Sequence, residues 1–557
     1  MGKPYQKQNK KPTPSLIYWG VGLLAAALSA AALVYYWRVF YSYGQYPFAH
    51  IPAPQLTALM CALAALCVVA AYLIKRFASS FAAKAAFAVL GAGLLFALVT
   101  PPFQIPDESQ HFLRAYSLGS GYFDFDAERG YPADVDALCS SFAMAWTGSH
   151  DGSTIKARTQ GEIENPVPAD TVSGECISNS FVDYARLVEG GEATKAVTEP
   201  TLFLVLPLLP QALGVALAKL FGFKALGCLY FARVANLAFY ALLCYFSLKN
   251  AKRYVPVLTA AMLMPLSLFM AASCSYDSML LGLYFFAVSY YCMDEITTRD
   301  MWLFAVAVAI MTVVSGKYNN ILWLALPFIL PQKAWKTKLK KWQALALCVG
   351  VCAAFFGAVT LYNTLAIKNY GDIARMIEGV NQLEQLKFIL AHFARTIAVF
   401  WGTLYENSFF LQSLGVFGNV DMPIAIINLL SPCVLLLGSA LSVHEKSSLS
   451  KKSAVGLLAI AVLYAGAVMA GLYVTYTPVS MVRVIGLQAR YFIPVFVMLF
   501  ILTAALLSHV LEPNFRVKGD AKALLLSLSI CTAFAVISAI LIFQTYFVGP
   551  VTVLPIN

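Results

Sequence analysis

Four ionisable side chains, Asp107, Glu108, His111 and Arg114, crowd into the short segment "PPFQIPDESQHFLRAY" (101–116). Pro106 can open a helix there, because the first helical turn does not need its missing N–H. Asp107 and Glu108 then sit in that first turn, where the helix dipole favours acids. Asp107, His111 and Arg114 follow i, i+4, i+7 spacing and share a face. Two readings fit. One is a helix start with a self-paired polar face. The other is a carboxylate that takes a proton or holds a divalent cation (Mg or Mn), shaped by His111 and Arg114. On the second reading Asp107 and Glu108 are the metal-ligand candidates.

Further motifs carry isolated charges beside apolar runs. In "SCSYDSM", Asp277 is either an ordinary helix cap or a functional acid near the hydrocarbon. In "VSGKYNN", Lys317, next to Tyr318, is either a snorkelling lysine or a point charge for a phosphate. In "GLQARYFIP", Arg490 and Tyr491 open a late apolar run; an arginine there needs a partner, and a phosphate suits its guanidinium. Nearby Arg483 reads as a loop charge. Arg233 and Asn236, in "YFARVANLAF", share one face of an apolar segment. Arg233 is expected to pair with an internal acid rather than to touch substrate.

Almost everything that positions these groups is apolar. The chain has 557 residues, of which 60% are hydrophobic and 12% charged, and its mean hydropathy is +0.71. Soluble domains carry about 25% charged residues. The fold class expected is therefore an all-α polytopic membrane protein. Runs long enough to cross a hydrocarbon core of roughly 30 Å fall at 16–37, 55–74, 82–100, 226–248, 255–272, 277–293, 302–315, 319–331, 343–364, 422–442, 454–475, 491–509 and 523–546. That makes about thirteen transmembrane helices, with short runs at 302–315 and 319–331. The first is too long for a cleaved signal and reads as an anchor behind a basic terminus, 1–15.

Lys and Arg concentrate in alternate loops, at 75–84, 249–253, 332–341, 446–452 and 516–522. The positive-inside rule puts these loops and the N-terminus in the cytoplasm. Residues 101–199 then form an external acidic loop domain after the third helix. Residues 200–224, broken by Pro200, Pro207 and Pro210, read as interfacial or re-entrant helices. Residues 225–365 form a helix bundle, and 421–557 hold the C-terminal helices. Between them, 366–420 is an external loop in which Ile373, Met376, Ile377, Val380, Leu383 and Leu386 recur at amphipathic spacing, with a further span over 386–404 as the alternative.

The net charge of +11 resides in these loops, so no nucleic-acid partner is expected. Of the 12 Cys, Cys139 and Cys176 lie in the large polar loop, where a disulfide between them could form outside the cytoplasm. Asp107, Glu108, His111, Asp277, Lys317 and Arg490 all fall on the external side. Acids beside isolated cations at a membrane surface suit a phosphate-bearing lipid and an acceptor that must lose a proton.

The chain resembles the bacterial domain-of-unknown-function 2142 family of polytopic membrane proteins, itself distantly similar to the GT-C glycosyltransferases. The likeness covers about residues 85–510. It rests on the order and spacing of the segment at 101–116, "EPTLFLVLPLLPQALGVALAKLFG", "RVANLAFY", "MPLSLFMAASCSYDSMLLGLYF", "SGKYNNILWLALPFILP", "LGVFGNVDMP" and "IGLQARYFIP". The resemblance implies a GT-C-like fold in a bacterial plasma membrane. It also implies inverting transfer of a sugar from a polyprenyl-phosphate donor to a glycan or cell-wall polymer acceptor. Asp107 matches the acidic residue of the first large external loop, as base or metal ligand, with Glu108 beside it. Lys317, Arg490 and Tyr491 are placed at the donor phosphate by position and charge. The chain departs from that group in having three spans before the acidic loop and no large C-terminal soluble domain. Competing functions are a transporter or flippase of lipid-linked glycans, or a non-catalytic envelope-assembly protein.

Overall fold

The computed structural model describes residues 80–126, 130–141, 206–368, 379–406, 413–418, 422–443, 449–510 and 520–547, with Ala78 and Val420. The chain divides into two compact units, Met1–Ser80 and Phe81–Asn557. The expected spans at 16–37 and 55–74 lie outside the described residues, as do Cys176 and most of the large polar loop. The expected Cys139–Cys176 disulfide therefore lies outside them too.

The second unit is helical. Its helices are α1 (Phe81–Val99), α2 (Glu108–Gly119), α3 (Ala133–Ser141), α4 (Leu209–Leu220), α5 (Ala225–Asn250), α6 (Val255–Met262), α7 (Pro265–Ala271), α8 (Asp277–Tyr291) and α9 (Thr298–Ala309). These are followed by α10 (Lys341–Ala366), α11 (Gln382–Ala391), α12 (Phe393–Glu406), α13 (Ala425–Leu441), α14 (Lys451–Thr475), α15 (Ile493–Val510) and α16 (Asp520–Phe547). Two short strand pairs sit at the ends of helices: β1 (Phe125–Asp126) runs parallel to β2 (Ile367–Lys368), and β3 (Val416–Phe417) pairs antiparallel with β4 (Met422–Pro423).

Six helical segments among the described residues are long and apolar enough to cross a membrane: Phe81–Val99, Ala225–Asn250, Lys341–Ala366, Lys451–Thr475, Ala489–His509 and Ala521–Phe543. A seventh follows if α11 and α12, bent by 107° about His392, count as one. Several runs that read as spans from the sequence are divided or shorter. The run 255–272 breaks between α6 and α7, where Met264 is extended and Pro265 opens the new helix, as expected for a residue before proline. The run 302–315 ends in a π turn over Ile310–Val314, and 319–331 is a 3-10 helix over Tyr318–Ile329. Helices α6, α7 and α8 are almost wholly buried and form the centre of the core.

Residues 200–205 of the expected interfacial segment lie outside the described residues; from Leu206 it is a short 3-10 turn followed by α4, too short to span. Leu213, Leu217, Leu220, Phe221 and Phe223 are exposed along it, which suits a helix lying at an interface. Its other face packs closely on α5. A Cβ on Gly214 would lie 2.4 Å from the carbonyl oxygen of Phe231. The amphipathic helix expected within 366–420 begins at Gln382, where the Asn381 side chain accepts the Glu384 N–H at 3.1 Å; Ile373, Met376 and Ile377 lie outside the described residues.

Three of the basic loops meet at one end of α8. Lys252 N–H and Arg253 N–H donate to Cys292 O (2.9 and 3.1 Å), Ile296 pairs with Trp335, and Ser453 Oγ donates to Ile329 O (2.8 Å). These bonds tie the basic loops at 249–253, 332–341 and 450–452 into one layer. Asp277 stands at the far end of α8 from that layer, about 21 Å away at 1.5 Å rise per residue.

Gly214→Ala is expected to destabilise the purified protein by about 1–3 kcal/mol through overpacking. Gly350→Ala, where a Cβ meets nothing within 4 Å, should be neutral or slightly stabilising. Thermal unfolding in detergent checks the contrast; equal melting temperatures would contradict the tight α4–α5 contact.

Candidate functional site

The loop before α2 takes an unusual path. Phe103 (φ 60°) and Asp107 (φ 64°) are both left-handed without being glycine, a strained choice that the surroundings must enforce. Glu108 enforces it. Its Oε2 accepts Phe103 N–H at 3.0 Å and Arg233 Nη2 at 2.7 Å. Its Oε1 accepts Arg233 Nε at 2.8 Å and Cys274 N–H at 2.9 Å. Arg233 also donates Nη1 to Ala97 O (3.0 Å) and Thr100 O (2.7 Å), and Nη2 to Pro101 O (2.9 Å). All five guanidinium N–H bonds are thereby used, and both charged side chains are fully buried. Arg233 does pair with an internal acid. Glu108 is a correction to its placement among the catalytic and metal candidates: each of its oxygens already accepts two hydrogen bonds.

The same clamp fixes the turn between α7 and α8. Asn236, one turn along α5 from Arg233, donates to Ser273 O (2.7 Å) and Ser275 O (2.8 Å). Gln211 of α4 also donates to Ser275 O (3.2 Å). Asp107, next to Glu108, and Asp277, three residues after Cys274, are therefore held by one buried unit.

Asp107 does not cap its helix. Its Oδ2 accepts Arg490 Nη2 at 3.0 Å. Asp277 is the first residue of α8 rather than its cap, and its carboxylate receives two cations, Lys317 Nζ at 2.6 Å and Arg490 Nη1 at 3.2 Å. Arg490 Nη2 also reaches the Tyr491 hydroxyl at 3.2 Å. Lys317 Nζ lies over the rings of Tyr276 and Tyr491, 5.3 and 5.2 Å from their centroids, a cation–π arrangement. Four separate elements thus converge: the start of α2, the start of α8, the turn before the 3-10 helix at 318, and the turn that opens α15.

Exposure within the cluster is uneven. The Arg490 side chain is 7% exposed and that of Asp107 is 43% exposed. Burial raises the Asp107 pKa, but the Arg490 guanidinium and the His111 ring outweigh it and leave the carboxyl below its usual value. Water screens a group this exposed, so the shift is no measure of stability. Burial works against charge on Lys317 as well, but Asp277 overrides it and holds the ammonium above the ordinary lysine range. His111 is buried, with Nδ1 3.0 Å from Ser275 Oγ and its ring 4.4 Å from that of Tyr276. Burial pushes its pKa down to about 4, against the pull of Asp107 and with that of Arg114. It is therefore neutral at pH 7 and offers a hydrogen bond rather than a charge. Arg114 is buried on α2 beside it.

A small open cavity of about 20 Å³ lies beside the cluster. Asp277, Lys317, Arg490 and Tyr491 line its polar side, and Met270, Leu280, Leu281 and Ile493 its apolar side. Tyr284 also lines it and leads into a buried network: its hydroxyl donates to Asn320 Oδ1 (3.0 Å), which also accepts from Tyr464 (3.1 Å). Tyr276 and Tyr284 lie in the quoted segment around Asp277 without having been singled out there, and Tyr464 lies in no quoted motif. Asn320, three residues after Lys317 in "GKYNN", had a signal available in its spacing. Arg483 is exposed, as a loop charge should be.

These residues do not fit a divalent cation as they stand. Glu108 has its lone pairs occupied, and Asp107 and Asp277 each already face a cation. No group of three or more His, Cys, Asp and Glu among the described residues could hold a metal ion.

A helical bundle with several membrane-crossing segments and a charge cluster at one end defines a polytopic membrane protein. Residues 90–499 match a family described as "Predicted membrane protein (DUF2142)", and the chain belongs to that family. No curated protein and no solved structure matches it.

Arg233→Met leaves the buried Glu108 carboxylate without its partner and is expected to cost about 3–5 kcal/mol. Asp107→Asn, on a half-exposed side chain, should cost under about 1 kcal/mol. Thermal unfolding of both variants in detergent checks this. Comparable losses would contradict the division between a buried clamp and an accessible site.

Proposed function

We propose that this protein is a GT-C-like membrane glycosyltransferase that moves a sugar from a polyprenyl-phosphate donor to a cell-envelope glycan. In this reading it lies in a bacterial plasma membrane, crosses it several times, and has its N-terminus in the cytoplasm. The charge cluster and the polar loop 101–199 then face outward. The basic layer at the opposite end of the bundle from Asp277 supports that orientation.

The observation that carries the reading is the pocket's two-sided chemistry. Arg490 and Lys317 border an apolar wall of Met270, Leu280, Leu281 and Ile493, as a phosphate joined to an isoprenoid chain requires. In the reaction an acceptor hydroxyl oxygen attacks the anomeric carbon. The bond from that carbon to the phosphate oxygen breaks, and its electron pair stays on the phosphate. Arg490 and Lys317 stabilise the charge that grows there, and Tyr491 steadies Arg490. The hydroxyl proton passes to Asp107, which is ionised at neutral pH and open to solvent. Asp277 holds both cations, and neutral His111 packs behind Asp107. The described site charges gather at one end rather than through the depth of the bundle, which favours transfer at a surface over transport.

Asp107→Asn is expected to lower transfer from a polyprenyl-phosphate sugar by at least about 100-fold, the contribution typical of a general base, while insertion and folding persist. Full activity of the purified variant with lipid donor would sink the assignment.

A further inference from the structure

Arg490 occupies an odd position for a simple counter-ion. It is 9% exposed, yet it divides its guanidinium between two carboxylates from distant parts of the chain. Its Nε makes no hydrogen bond among the described residues, while Nη1 faces Asp277 Oδ2 at 3.2 Å, so a donor remains inside the site. Its two acids are held unequally. Asp277 has Lys317 at 2.6 Å as a second partner and is buried. Asp107 is 43% exposed and, among the described residues, has Arg490 as its ion-pair partner.

We propose that Arg490 is an exchangeable latch: a lipid phosphate ester entering the pocket, the donor diester or its monoester product, takes Arg490 from Asp107, so that Asp107 becomes available as a proton acceptor only after the anion is bound. This rests on the donor-phosphate reading above and adds an order to it, phosphate first and acceptor second. The exchange breaks no covalent bond. One carboxylate–guanidinium pair is replaced by a phosphate–guanidinium pair of the same kind, and water solvates the released carboxylate. Asp277 stays in place because Lys317 continues to neutralise it. Asp107 moves instead, since solvent already reaches it and no cap bond ties it to α2. Without an anion the latch keeps Asp107 ion-paired with Arg490, which lowers its basicity although solvent reaches it.

Once Arg490 leaves, Asp107 faces the nearby Asp277, the bound phosphate and the neutral His111 ring. Its carboxyl then binds a proton more readily than in the free protein. Near pH 5 this adds an Asp107-dependent proton uptake to the proton release from the phosphate monoester itself, whose second ionisation lies at about 6.

The test is calorimetric titration of the detergent-purified full chain with farnesyl phosphate, with inorganic phosphate and farnesol as controls. Measurements are made in two buffers of different ionisation enthalpy. Farnesyl phosphate should bind, Asp107→Asn should tighten it by about 10-fold or more, corresponding to about 1.4 kcal/mol, and the wild type should take up more protons on binding than that variant, in which only the ligand's own ionisation contributes. Arg490→Gln should lose binding; if it fails to fold, Lys317→Gln should weaken binding several-fold instead. Equal binding of inorganic phosphate would assign the latch to a free anion rather than a lipid headgroup. Binding that needs Arg490 but is unchanged in affinity and proton uptake by Asp107→Asn would overturn the latch and leave the phosphate site standing. No binding of either phosphate to the folded wild type would overturn both.

Discussion

The buried ion pair between Glu108 and Arg233 is the constraint on which the site depends. It joins three pieces of chain: the end of α1, the loop before α2, and the turn between α7 and α8. Taking both charges out of water is costly, and such a pair rarely adds net stability over a well-packed apolar one. Its value here is geometric. A saturated carboxylate and a saturated guanidinium permit one arrangement of the two turns, and that arrangement sets Asp107 and Asp277 on the same guanidinium. The left-handed backbone at Phe103 and Asp107 is held by the same bonds.

Around this rigid centre the accessible charges are arranged differently. Lys317, Arg490, Asp107 and Asp277 sum to zero, with His111 kept neutral by burial. A neutral cluster can sit at the edge of an apolar bundle without a large solvation penalty, yet it still presents separated charges to a ligand. Its exposure is graded: fully buried at the clamp, nearly so at Arg490, and about half open at Asp107. That gradient distinguishes a scaffold from a surface that can exchange partners. The apolar wall beside it gives the pocket two chemistries in one space.

Much of the architecture was legible in the sequence because apolar runs of membrane length are hard to mistake. Helices α1, α5, α10, α14 and α16 coincide with such runs. The divisions were harder to read. Pro265 stood in the sequence, but proline is tolerated within membrane helices, so only the extended backbone at Met264 reveals two helices in place of one. The site residues were recognisable as isolated charges in apolar surroundings, a rule that needs no knowledge of contacts. Their roles were not separable in the same way. Asp107 and Glu108 are adjacent acids, and the sequence favoured Asp107 only through the face it shares with His111 and Arg114 and through the family resemblance, with Glu108 kept beside it as a candidate. The positive φ at Asp107 sends one inward to Arg233 and the other toward Arg490, 383 residues away, and no local pattern encodes that divergence. Tyr464 was invisible for the opposite reason, as a single aromatic in a helix where aromatics are ordinary.

The central claim is that the Arg490 cluster is a phosphate site whose bound state differs from its empty one at a single ion pair. A cryo-electron microscopy structure of the full chain with a polyprenyl phosphate tests this most directly. The account places the phosphate within hydrogen-bond distance of Arg490 and Lys317, the first isoprene units against Leu280, Leu281 and Ile493, and Asp107 turned away from Arg490. A lipid phosphate bound elsewhere on the bundle, with the Asp107–Arg490–Asp277 bridge intact, would contradict it.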